Sequence, residues 1–79
     1  MWWMFKKLKE DAVQCTYAYA RESRSLDGLI EISKDSMAID VLQPCIADQG
    51  SSFCLEKVIE KTHQLIRKKY PDEIQIACG

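Results

Sequence analysis

Cysteines at 15, 45, 54 and 78, one histidine at 63 and a scatter of carboxylates are the residues of this 79-residue chain that could do chemistry. Cys54 falls in the first turn of an expected helix, where unpaired amides and the helix dipole favour a thiolate. Cys45 precedes it by nine residues, across one loop, so the two could form a thiol-based redox pair. A catalytic thiol needs a base within hydrogen-bonding reach. His63 lies nine residues along the same helix, roughly 13.5 Å of rise and half a revolution away. Cys54 and His63 therefore make no dyad within one chain. Cys45, Cys54 and His63 also lack the spacing of a zinc site, so no metal and no cofactor are expected.

Gly50-Ser51-Ser52 opens the helix, where exposed amides and two hydroxyls could hold an anion. The same residues serve equally as an ordinary cap, and no Gly-x-x-x-x-Gly-Lys-Ser/Thr loop is present. Lys57, Lys61 and Lys68 share one flank of the helix, and with Arg67 and Lys69 they form the best case for nucleic-acid contact. Glu56 and Glu60 occupy the neighbouring flank, and Ser51 to Gly79 carries five cations against four anions, so a solvated face is favoured. Glu31 and Asp40 sit on the polar faces of two successive strands. A paired-carboxylate site would require them to lie opposite each other, and register decides that.

With 47% hydrophobic and 29% charged residues, the composition excludes a disordered tail or a membrane-spanning bundle. A net charge of -1 provides no field to gather polyanions or acidic lipids. The longest apolar run, Met1 to Phe5, is far below the roughly 18 residues of a transmembrane helix. That run precedes Lys6, Lys7 and Lys9, the reverse of a secretory signal, so a cytoplasmic, reducing location is expected and the cysteines read as small buried hydrophobes.

Positioning these residues requires strands and one helix. Val13 to Ala20 alternates apolar and small or polar residues, as do Leu29 to Ser33 and Met37 to Leu42, which Pro44 ends. Asp27-Gly28 suits a turn with a positive φ. From Phe53 to about Tyr70, Leu55, Val58, Ile59, Thr62, Leu65 and Ile66 form one stripe at helical period, and Pro71 stops it. Ile74, Ile76 and Cys78 alternate in a short last strand. Residues 1–9 read as a separate amphipathic segment, a short helix with Trp2, Phe5 and Leu8 on one face.

The expected fold is a single two-layer α+β domain over residues 1–79. A three-stranded antiparallel meander leads into one long helix and a fourth edge strand (βββαβ), with that strand parallel to the third. One helix covers one sheet face, and so short a chain has little core to spare. A non-enzymatic binding or assembly module is therefore the preferred reading, acting as a homodimer or accessory subunit through Trp2, Trp3, Phe5 and Leu8. Nucleic-acid contact and a Cys54–Cys45 redox sensor are the alternatives.

Overall fold

The computed structural model describes residues 2–50 and 52–77, with Ser52 described for its backbone only. Strands β1 (Trp2–Glu10), β2 (Gln14–Arg21), β3 (Gly28–Ser33) and β4 (Ile39–Gln43) run as an antiparallel meander. A short 3-10 turn (Ile46–Asp48) leads to helix α1 (Ser52–Arg67), and β5 (Glu73–Ala77) ends the described chain. The sheet order is β4-β3-β2-β1-β5, with β5 antiparallel to β1. The last strand thus shares its direction with β4 and takes an edge of the sheet, as expected, with β1 standing between it and β2.

The N-terminal segment corrects the sequence reading. Trp2–Glu10 is a strand, neither a helix nor a separate element, and it lies inside the sheet between β2 and β5. Aromatic residues favour the half-buried pleated surface, and a five-residue apolar run fits a strand covered on both sides as well as it fits a helix turn. Trp3 and Phe5 point under α1 and are 1% and 0% exposed, while Trp2 and Met4 take the opposite face.

The core lies between α1 and one sheet face. Trp3, Phe5, Tyr17, Tyr19, Ile30, Ile32 and Ile76 meet Val58 and Leu65, with Thr62 buried between these two helix residues. Phe5 packs edge-on against Tyr17 at 6.5 Å and stacks on Tyr19 at 6.1 Å. Burying a thiol and a phenol disfavours their charged forms, so Cys15, Cys45, Tyr17 and Tyr19 are all pushed up from their ordinary values. Gly28 serves close packing and not a positive φ: a Cβ there would overlap the Tyr19 ring and crowd the Cys45 amide. The left-handed residues of that loop are Glu22, at φ 54°, and Leu26, at φ 52°.

Helix α1 ends in a turn in which Tyr70 N–H donates to Leu65 O (2.8 Å) and Lys69 N–H to Ile66 O (3.1 Å). Lys69, at φ 60°, occupies the left-handed position where glycine is usual. The following loop is tied down by the Tyr17 hydroxyl, which donates to Pro71 O at 2.6 Å, and by Lys7, 3.2 Å from Asp72. Lys34 stacks over Tyr70, 4.9 Å from the ring centroid.

Candidate functional site

Three surfaces could carry function: the loop end of the sheet, the basic flank of α1 and the sheet face without a helix. At the loop end, Asp48 is wholly buried and Arg21 Nε donates to its Oδ1 at 2.6 Å. Arg21 Nη2 also donates to Ala47 O at 2.8 Å, and the Asp48 carboxylate pushes the guanidinium pKa further up. The Tyr19 hydroxyl accepts from Cys45 N–H (2.9 Å) and donates to Asp48 Oδ2 (3.3 Å). These bonds pin the β4–α1 loop to the end of β2. A pocket of about 520 Å³ opens beside them, lined by Arg21, Glu22, Ser23, Asp27, Cys45 and Ala47. Its polar groups already serve the fold: Arg21 holds Asp48, and Asp27 Oδ1 accepts from Ile46 N–H at 3.4 Å. Nothing in the sequence around Asp48 marks it as buried, because its partner stands 27 residues away.

Cys45 lies in this knot, 1% exposed, with its thiol pushed up by burial, the opposite of what an attacking thiolate requires. Cys54 is half-buried in the first turn of α1. Gly50 is exposed and takes φ 79° before the helix, whereas Ser51 and the Ser52 side chain, the rest of the expected anion site, lie outside the described residues, as does Cys78. His63 is exposed, and no cluster of three metal-ligating side chains occurs among the described residues.

The basic flank is less continuous than its spacing suggests. Lys61 is only 8% exposed, with its ammonium 5.5 Å from the centroid of the Trp3 ring, so it belongs to the margin of the core. Lys57 lies 3.6 Å from Glu60 and over the Phe53 ring. Arg67, Lys68 and Lys69 are exposed at the helix end.

The remaining surface is the sheet face opposite α1. Alternation assigns Trp2, Met4 and Lys6 of β1 to it, with Thr16, Ala18 and Ala20 of β2, Leu29 and Glu31 of β3 and Asp40 of β4. Met4, Ala18 and Ala20 are shielded by their neighbours, at 6%, 5% and 1% exposure. Two bulges add to this face. Register shifts between Lys7 and Lys9 on β1, and Lys7 contacts Glu10 at 2.6 Å. Residues three apart in a regular strand point to opposite faces, so that contact requires Leu8 and Lys9 together to occupy the outer face. On β4, Val41 pairs with Ile30 and Gln43 with Leu29, which leaves Leu42 as the extra residue beside Gln43 on the same outer face. Both leucines are exposed, Leu8 at 56% and Leu42 at 55%.

Glu31 and Asp40 do lie directly opposite each other on this face. Gln14 Nε2 donates to Glu31 at 3.4 Å. Of the four residues expected at an interaction surface, Trp2 and Leu8 stand on this face, and Trp3 and Phe5 are core. Among the described residues no helix is long and apolar enough to cross a membrane. Compared with known protein families, with curated proteins and with solved structures, the chain matches none.

Proposed function

We propose that this chain is a non-enzymatic protein-binding or assembly module whose contact surface is the sheet face opposite α1. The observation that carries the reading is the placement of Leu8 and Leu42, each brought by a bulge onto that face and each more than half exposed. Bulges re-aim side chains at the cost of ladder regularity, and exposed leucines gathered on one face suit a partner that removes them from water. Trp2, Leu29 and the shielded Met4 continue this apolar ground, and Lys6, Lys9, Glu31 and Asp40 give it charge on both sides.

Light scattering after size exclusion tests the reading, with the wild type and a Leu8→Asp/Leu42→Asp variant measured over a range of micromolar concentrations. A wild-type mass above the monomer that falls on dilution, and a variant that stays monomeric with an unchanged circular dichroism spectrum, support it. A wild type that stays monomeric at every concentration refutes it.

A further inference from the structure

We infer that the occupant of this face is a second copy of the chain, packed face to face about a two-fold axis that runs parallel to the strands between β2 and β3. The inference rests on the binding reading above and is carried by the order of side chains across the sheet. One row of the outer face reads Lys9, Thr16, Glu31, Asp40 from β1 to β4, and the next reads Lys6, Ala18, Leu29, Gln43. Such an axis keeps each row at its own level and reverses its order. Lys9 of one copy then lies over Asp40 of the other, Thr16 over Glu31, and Ala18 over Leu29. Every contact occurs twice, as a two-fold interface requires.

The charge order across the face fits this operator. Leu29 of one copy comes to rest over the side chains that shield Ala18 of the other, and the bulged Leu8 and Leu42 meet beside the Lys9–Asp40 pairs. Within one chain Lys9 and Asp40 are three strand spacings apart, about 14 Å, too far for an ion pair. Glu31 and Asp40 face each other as like charges, an arrangement that costs stability in an isolated sheet and is relieved by cations arriving from outside. A two-fold axis perpendicular to the strands would instead set β1 on β1 and bring Lys9 over the apolar end of the same strand, leaving the acidic pair without a cation. Face-to-face sheets keep their strands within about 30° of one another, which leaves this pairing in reach.

Charge exchange between copies tests the operator. Lys9→Asp and Asp40→Lys both replace exposed residues outside the core. Each variant alone places like charges over each other and should lose about tenfold or more in self-association. An equimolar mixture pairs Asp at 9 with Lys at 40 and Lys at 9 with Asp at 40, and should associate within about threefold of wild type, as should a chain carrying both substitutions. Sedimentation velocity with one variant fluorescently labelled reads the mixed species. If the wild type associates and the mixture binds no better than either variant alone, the two-fold arrangement is wrong and the binding face stands. A wild type monomeric at all concentrations removes the binding reading and the two-fold arrangement together.

Discussion

Removing Arg21 should damage this protein more than removing both members of its ion pair. Asp48 is 0% exposed and Arg21 retains 19% exposure, so the carboxylate depends on the guanidinium while the guanidinium can turn partly to water. In Arg21→Met the buried carboxylate loses its charge-assisted bond and keeps the longer 3.3 Å bond from the neutral Tyr19 hydroxyl. Breaking a buried pair from one side costs about 3–5 kcal/mol, and the partial exposure of Arg21 sets the expectation near the lower end, about 3 kcal/mol. A domain of this size has about 4–12 kcal/mol in total, so the variant would lose a quarter or more of its stability. Asp48→Asn keeps an acceptor for Tyr19 and leaves Arg21 its bond to Ala47 O, so about 1–2 kcal/mol is expected. In Arg21→Met/Asp48→Asn no charge is buried, and the double variant should be more stable than Arg21→Met alone. Urea unfolding followed by circular dichroism at one protein concentration measures this. With a slope of about 1 kcal/mol per molar urea, Arg21→Met lowers the midpoint by about 3 M. A loss below about 0.5 kcal/mol, the range of a surface pair, would refute the argument, as would a double variant weaker than Arg21→Met.

Gly28→Ala forces a methyl into the Tyr19 ring and should cost about 1–3 kcal/mol in the same urea assay. Lys69→Gly relieves a left-handed backbone at the end of α1 and should raise stability by about 0.5–1 kcal/mol, visible as a higher melting temperature. Raising pH should destabilise the fold. Burial raises Cys15 and Cys45 from 9.0 and Tyr17 and Tyr19 from 10.0, so the folded chain keeps protons that the unfolded chain sheds. Stability is therefore full below the unfolded values and falls as pH climbs through about 9 to 10 and beyond, a trend that urea midpoints under reductant at pH 7 and pH 10.5 would show. Leu8→Asp/Leu42→Asp should alter the stability of the single chain by less than about 0.5 kcal/mol, because both side chains are exposed there.

Strands β2 to β5 and helix α1 are legible in the sequence because each buries one face, and burial writes the period of the element into its residues. Val58, Thr62 and Leu65 mark the buried spine of α1 in both sequence and structure. β1 was hidden by two features acting together. Its first half is apolar on both faces, which erases alternation, and its bulge shifts the period at Leu8, so Trp2, Phe5 and Leu8 imitate a helix stripe. The facing of Glu31 and Asp40 is a property of register, which the hydrophobic pattern of either strand alone does not contain. The burial of Asp48 and of Lys61 depends on partners, Arg21 and the Trp3 ring, brought near only by the finished sheet.

Trp2 stands opposite Ala77 and Phe5 opposite Ile74, so the strand nearest the start of the chain has its outer neighbour at the far end. Closing so long a loop comes late, because its entropy must be met before any β1–β5 hydrogen bond forms. As the chain leaves the ribosome, the meander can assemble while one flank of β1 still shows its bare amides and carbonyls to any passing strand. Shielding that flank before β5 arrives is the stage of biogenesis at which a chaperone would matter most.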